Sequence, residues 1–450
     1  MILVYQIERK VNLVLTESKT ININKEAANK LKQEQNHKTL FEETKDGSLK
    51  TTSVKNVVLI LKTDKNLQNL FKFNEFTNEV DVVKNANLKT SIGEINIAKG
   101  QYTDQVINGV ELYIESSSKY KGSIFKNNVI DQGITNVAYM NSYNPVIDYM
   151  NEAYAKWDKK QRLDNYFVDF LGAPNNKTTA LITELWFMGA VAKAYNPKTK
   201  FDFVLDLVGG QGVGKTSLLQ KTAPLGLYTD QFNTFSNKDD FEVMKNALIV
   251  NDDEMTASNA ASFEEIKKFI TMQQFEYRKA YARKSETFQK KFVLARTTNE
   301  VKHLKDRSGD RRFISIFADV KHQKKSPITD LSDEYVQQVW GETVWLYKNT
   351  KNPFILSENA QKLLEENRKQ FRYTSGLEDQ LNITLENNFK DQKFIPNAKL
   401  AFALFADRDA LSRNTKDARD IRYYMGHLGY EVGARKNIDG KTVAGFAKLQ

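Results

Sequence analysis

The sequence predicts an α/β fold, and three observations carry that prediction. Phe203 to Val208 is a short, mostly apolar strand candidate that runs into Gly209-Gly210-Gln211-Gly212-Val213-Gly214-Lys215-Thr216, with a helix start at Thr216 to Lys221. A second apolar run, Ala247 to Val250, ends in Asn251-Asp252-Asp253-Glu254. A third, Lys291 to Arg296, ends in Thr297-Thr298-Asn299. A strand–loop–helix unit followed by apolar strands with polar tips is the context in which a glycine-rich loop holds phosphate.

The loop fits G-x-x-x-x-G-K-[ST] at each fixed position. Backbone N–H groups from Gly212 to Lys215 can curl around a polyphosphate at the positive end of the helix. The nucleotide-binding set is therefore Gly209, Gln211, Gly212, Val213, Gly214, Lys215, Thr216 and Ser217. Lys215 reaches the β- and γ-phosphates, and the Thr216 hydroxyl holds Mg²⁺. The expected ligand is ATP with Mg²⁺.

The acidic strand tip supplies what hydrolysis needs: one carboxylate on the metal side, Asp253, and a second, Glu254, as general base. Asp252 with Asp253 is the rival pair, and acids at this point also suit the start of a helix. Asn299 is placed to bridge the attacking water and the γ-phosphate, although Asn is also an ordinary turn residue. Further on, Gly309-Asp310-Arg311-Arg312-Phe313 leads into the apolar run Phe313 to Phe317. Paired arginines just before a strand also suit a solvated turn; the functional reading is a finger reaching the γ-phosphate of a neighbouring subunit. Arg312, which abuts the strand, is the preferred finger, with Arg311 as its support. Together these features favour a ring-forming ATPase.

In this order and spacing the motifs resemble the virulence-associated protein E family, helicase-like replication proteins of phages and mobile genomic islands. That family is related to the superfamily 3 helicases of the AAA+ class. Asn56-Val57-Val58 with Asn69 to Phe76, Tyr143 to Tyr149, the Trp157 stretch with Arg162-Leu163-Asp164, and Ala190 to Pro197 extend the resemblance over roughly residues 55 to 320. Asn251-Asp252 departs from the pattern, where a Glu and an apolar residue are expected. The resemblance implies a hexameric ring that threads single-stranded DNA, with a DNA-gripping hairpin before the strand that ends in Asn299. Its slot here is Tyr277 to Lys284. Arg278 to Lys291 holds six basic residues against Glu286, interleaved with tyrosines. Cations beside stacking aromatics suit single strands, and Lys279, Arg283 and Lys284 are the expected pore contacts.

The whole chain sets bounds. Its 450 residues accommodate several domains. No cysteine occurs, so thiolate metal sites and disulfides are excluded, and His37, His303, His322 and His427 are scattered. No apolar stretch approaches a membrane span, and the expectation is a soluble, cytoplasmic protein without membrane partners. A formal charge of +10 favours polyanionic partners. Residues 1–135 read as a noncatalytic α+β accessory domain, strand-like at Met1 to Leu15 and helical around Lys25 to Gln35. Residues 140–195 read as a helical lead-in or collar, with Leu181, Leu185, Met188 and Val191 at helix spacing. The ATPase core spans 196–320 and a helical segment 325–375, with helices at Asp333 to Lys348 and Ser357 to Arg372.

Residues 395–450 read as a winged helix-turn-helix. Asn397 to Leu404 and Lys416 to His427 are its helices, Gly429 ends the second, and Asp439-Gly440 turns a hairpin. Arg419 and Arg422 would sit on the recognition helix, while Arg435, Lys436 and Lys441 meet phosphates. The same fold also serves as a protein-docking module. The sequence thus predicts an ATP-driven, homo-oligomeric DNA helicase, with a DNA-binding ATP switch that does not unwind as the alternative.

Overall fold

The computed structural model describes residues 41–120, 123–277, 285–304, 310–373 and 375–449. The strand expected at Met1 to Leu15 and the helix expected at Lys25 to Gln35 lie outside the described residues. The chain divides into two compact units between Asp148 and Tyr149.

The first unit is a small α+β arrangement. It holds α1 (Val54–Thr63), β1 (Phe71–Asn74), β2 (Glu79–Val82), β3 (Ala86–Thr90), β4 (Gly93–Ile97), β5 (Gly100–Gln101), α2 (Asp104–Ser116) and α3 (Asn127–Met140). Strands β1, β2 and β5 form one antiparallel sheet, and β3 and β4 a separate hairpin. Ser53 caps α1 by accepting from the Asn56 N–H, and α1 then buries Val57, Ile60 and Leu61 in a core shared with Phe71, Val110 and Ile134. The side chain of Asn56 is spent on backbone: it accepts from the Glu42 N–H at 2.8 Å and donates to the Glu42 carbonyl at 2.7 Å.

Helix α4 (Pro145–Lys156) carries the chain across the division, followed by α5 (Tyr166–Leu171) and α6 (Lys177–Tyr195). The second unit is built on a five-stranded sheet of β6 (Val204–Gly209), β7 (Tyr228–Thr229), β8 (Ile249–Asp252), β11 (Val293–Thr298) and β12 (Phe313–Ala318). The strand order is β12-β6-β11-β8-β7, and each pairing is parallel. Every residue of β6 and β11 is buried, as expected of central parallel strands covered on both faces. Helix α8 (Lys238–Met244) precedes β8, and between β8 and β11 come α9 (Thr256–Ala260), α10 (Phe263–Thr271) and the antiparallel pair β9 (Gln274–Tyr277) and β10 (Glu286–Gln289).

Helix α6 is more deeply embedded than its one-faced pattern suggests. It is buried nearly all round from Ile182 to Ala194, whereas Leu181 stays half-exposed. Trp186 donates its indole N–H to the Leu294 carbonyl on β11 at 3.3 Å, so this helix lies on the sheet itself and residues 177–195 share the sheet's core. Gly189 makes the contact close: a Cβ there would lie 2.2 Å from the buried Phe201 ring.

Helices α11 (Asp333–Asn349) and α12 (Glu358–Phe371) are capped by the Ser332 and Ser357 hydroxyls. The last module comprises α13 (Gly376–Asn388), β13 (Phe394–Pro396), α14 (Asn397–Phe405), α15 (Lys416–His427), β14 (Tyr430–Ile438) and β15 (Lys441–Lys448). Its own core joins Leu381, Ile395, Leu400, Ile421, Met425 and Phe446. Leu381 of α13 belongs to that core, so the packing unit begins before residue 395. Asp439 and Gly440 turn the hairpin with φ of 48° and 78°, the left-handed pair that a two-residue turn requires.

One carboxyl in the helical layer has a measurable consequence. Burial, then the neighbouring carboxylates Asp164 and Glu342, push the Glu184 pKa up to about 7. An acid raised in the folded state binds its proton more tightly there than in the unfolded chain. Its destabilising contribution therefore grows as pH rises from the ordinary glutamate value of 4.5 to about 7. Glu184→Gln is expected to gain stability relative to the wild type across that window and to hold the gain above it. Denaturant unfolding of both proteins between pH 5 and pH 8 measures the difference.

Candidate nucleotide site and nucleic-acid surfaces

Because β6, β8 and β11 are parallel, their carboxyl ends share one edge of the sheet, and each tip carries one part of the predicted site. The loop leaves β6 at Gly209, where a Cβ would lie 2.1 Å from the Ala318 carbonyl oxygen of β12, so only glycine fits. Gly212 and Gly214 adopt φ of 82° and 87°, curling the chain into α7 (Lys215–Thr222). Val213 is buried beneath the loop, and Gln211 is exposed. Ser217 is half-buried in the first turn of α7.

The side chains converge. Lys215 Nζ donates to the Gly209 carbonyl at 2.7 Å, the Gly210 carbonyl at 3.0 Å and Asn299 Oδ1 at 3.0 Å. Asn299 Nδ2 approaches Glu254 Oε2 at 3.3 Å, so one amide spans the lysine and the acid. Thr216 Oγ1 donates to Asp253 Oδ1 at 2.6 Å, and Thr297 Oγ1 reaches the same oxygen at 2.7 Å. Thr297 also accepts from the Glu254 N–H at 2.9 Å, and Asn251 Nδ2 donates to Asp253 at 3.2 Å. Burial lowers the Lys215 pKa, with Glu254 and Asp253 opposing that shift.

This geometry separates the three acids. Asp252 is buried and accepts from the Ala257 and Ser258 N–H groups, both at 2.9 Å, holding the start of α9. Burial raises its pKa above the usual carboxylate value despite those bonds. Asp253 faces Thr216, and Glu254 faces Asn299. Glu254 and Met255 both take left-handed backbone, φ 52° each, a conformation that costs non-glycine residues of order 1 kcal/mol or more and clusters at functional sites. Asn251, where a Glu is expected, is a fold-level partner of Asp253 and of the Tyr228 hydroxyl at 3.0 Å.

Beneath the site lies a network that sequence patterns do not announce. Arg296 on β11 is in register with Asp206 on β6 and Asp252 on β8. Its Nε and Nη2 donate to the two Asp206 oxygens, each at 2.7 Å, and its guanidinium lies 4.0 Å from the Phe313 ring centroid. His303 Nε2 is 2.8 Å from Asp206 Oδ2. Desolvation pushes the Asp206 pKa up, but Arg296 and His303 outweigh it and hold the carboxylate below its ordinary value. The only sequence signal is a charge inside each of two apolar runs.

Arg311 and Arg312 precede β12, at the amino end of a strand parallel to β6. They therefore lie at the sheet edge opposite their own phosphate loop, roughly 20 Å away for a strand of this length. Arg311 is exposed and Arg312 half-buried. Asp310 is buried and anchors the pair by accepting from Arg372 Nε at 2.6 Å on the α12 side.

The predicted nucleic-acid contacts are placed unevenly. Lys279, Arg283 and Lys284 lie outside the described residues, between β9 and β10. Lys290 of that basic run turns inward: its ammonium donates to the Phe269 and Ile270 carbonyls at the end of α10, and burial pulls its pKa down to about 7. Arg419 is exposed on α15, whereas Arg422 bends back to the Leu411 carbonyl. Arg435, Lys436 and Lys441 are exposed on the hairpin, but they do not share one face. Side chains alternate along a strand, and the pairing Ile438↔Lys441 puts Lys441 with Lys436, leaving Arg435 on the other side.

The residues present fit ATP and Mg²⁺. Thr216 and Asp253 bring together two hard oxygen donors, the kind Mg²⁺ takes. Apart from the adjoining loop residues, no heavy atom lies within 4 Å of a Cβ built on Gly210 or Gly212, so the space beside the loop is open at both positions. The first-turn amides of α7 have no partner within their own helix.

A parallel five-stranded sheet whose adjacent tips carry a glycine-rich loop, an acid pair and a polar amide defines an α/β core. The chain belongs to the virulence-associated protein E family: the model described as the virulence-associated protein E-like domain matches residues 150–373. That match runs through α12 and starts after the segment near residue 55 where the motif resemblance begins. Among solved structures, the A-form apo structure of the NrS-1 C-terminal region is 16% identical, with 84% of this chain and 96% of that chain covered and a TM-score of 0.43. Another A-form apo structure of that region is 15% identical, with coverage of 84% and 96% and a TM-score of 0.40. No curated protein matches the chain. No helix among the described residues is long and apolar enough to cross a membrane.

Removing Asp206 leaves Arg296 buried without its main partner. Asp206→Ala is expected to cost about 3–5 kcal/mol in urea unfolding, whereas Asp252→Ala, which removes a helix cap, costs about 1–2 kcal/mol. Equal losses would contradict the assignment of the two acids to different roles.

Proposed function

We propose that this chain is an ATP-driven, ring-forming replicative DNA helicase of a phage or mobile genomic island. The observation that carries the reading is the division of its parts between two sheet edges. The loop, Asp253, Glu254 and Asn299 meet at one edge, and the paired arginines stand at the other. Arg311 and Arg312 cannot serve the loop of their own sheet, so they are suited to a neighbour's in a homo-oligomer. Insertion of β11 between β6 and β8 brings Asn299 within reach of both Lys215 and Glu254.

In this mechanism Lys215 gives up its carbonyl partners to neutralise the β- and γ-phosphates. Glu254 takes a proton from the attacking water, which Asn299 orients through the amide already directed at that carboxylate. Thr216 and Asp253 would hold Mg²⁺, which when bound would supply charge neutralisation at the phosphates. Arg312, with Arg311 beside it, stabilises the charge that develops at the neighbour's γ-phosphate. Lys279, Arg283 and Lys284 grip single-stranded DNA, and the C-terminal module meets duplex DNA through Arg419 and the hairpin. That module has the helix–strand–helix–helix–hairpin order of a winged helix, which equally supports a second reading, a DNA-binding ATP switch that does not unwind.

Separation of a forked DNA duplex distinguishes the readings. The wild type is expected to unwind with ATP. Lys215→Ala should lose hydrolysis by about 100-fold or more, and the Lys279/Arg283/Lys284 triple alanine variant should hydrolyse without unwinding. Hydrolysis and DNA binding by the wild type without strand separation would favour the switch. Arg312→Ala should be inactive alone and recover turnover when mixed with Lys215→Ala subunits. A mixture that stays silent counts against a finger acting between subunits.

A further inference from the structure

Strand β12 ends at the same sheet edge as the phosphate loop, and the chain beyond it folds back over that loop. Gln323 Nε2 donates to the Phe170 carbonyl at 2.6 Å and to the Val213 carbonyl at 3.1 Å. Two carbonyl oxygens facing one amide require its NH₂ end, and both of its hydrogens are then used. Pro327 sits against Gly214, where a Cβ would come within 2.9 Å of the proline Cγ. The strap is itself held: Lys221 donates to the Ile328 carbonyl, the Ser326 N–H donates to Asp330 at 2.8 Å, and Lys324 pairs with Asp169 at 3.0 Å.

The contact with Val213 has a directional consequence. The described residues contain no cis peptide bond, so the Val213–Gly214 peptide is trans. In a planar trans peptide the C=O and N–H point to opposite sides. Holding the Val213 carbonyl outward against Gln323 turns the Gly214 N–H the other way, toward the concave side of the loop. We infer that Gln323 is a positioning residue for nucleotide binding, with Pro327 as its backstop: together they fix the peptide whose N–H faces the polyphosphate. This rests on the reading that residues 209–216 hold a nucleoside triphosphate, and it adds a part that lies outside the loop motif.

The test is equilibrium binding of a fluorescent ATP analogue with Mg²⁺ to the full chain, for wild type, Lys215→Ala, Gln323→Leu and the near-isosteric Gln323→Glu. Both Gln323 variants are expected to raise Kd about 5- to 10-fold, the loss of one well-placed hydrogen bond. KM should rise in parallel, with kcat at saturating ATP within about twofold of wild type. A residue that only supports folding would reduce the number of binding sites and leave Kd unchanged, and that result overturns the inference while leaving the nucleotide site standing. Absence of binding by the wild type sinks both. Hydrogen exchange of the wild type gives a reading that needs no variant. Exchange at the Gly214 amide should slow when the analogue binds, and an unaltered rate would refute the inference.

Discussion

The second unit is organised around a charge pair buried in its sheet. Asp206 and Arg296 face each other across β6 and β11 with two hydrogen bonds of 2.7 Å, and Asp206 is fully buried. An unpaired charge at that depth costs several kcal/mol, so the pair specifies one register between the loop strand and the Asn299 strand. A slip of one residue would leave two ions without partners and turn Thr297 away from Asp253. His303 and the Phe313 ring complete the enclosure, tying the segment after β11 and the start of β12 to the same point. The functional tips thus inherit their relative positions from an interaction below them.

That register explains how three consecutive acids take different tasks. Asp252 ends β8 and Asp253 opens the short turn after it, so the two side chains meet different partners. One meets the N–H groups at the start of α9, the other meets Thr216 and Thr297. Glu254 then departs from strand geometry through two left-handed residues. The strain is tolerated because the Glu254 N–H is bonded to Thr297 and its carboxylate meets Asn299. The local backbone and the sheet register support one another here.

The two edges of the sheet have contrasting chemistry. At the carboxyl edge, backbone amides and Lys215 favour anions, and nearby acids suit a cation between them. At the amino edge, Arg311 and Arg312 emerge from a short turn whose Asp310 is locked to α12 through Arg372. That bond fixes the turn from which both arginines emerge. The C-terminal module, with its own core, adds a second basic surface that divides between the two sides of a hairpin.

Much of this was legible in the residues. The loop motif, the apolar runs with polar tips, the serine caps of α11 and α12, and the Asp439-Gly440 turn are local signals, written within a few neighbouring positions. Strand order, by contrast, is nonlocal: nothing in Phe292 to Asn299 says that this strand enters between β6 and β8, yet only that order joins Asn299 to both Lys215 and Glu254. The same limit hid the separate role of Asp252, the inward turn of Lys290, the return of Arg422 to Leu411 and the strap at Gln323. Each depends on a partner distant in sequence, or on which side of a strand faces the core. The sequence by itself determined the kinds of chemistry present and the short elements that carry them. The tertiary structure decided which groups meet, because burial and register select one partner among the many that each polar side chain could take.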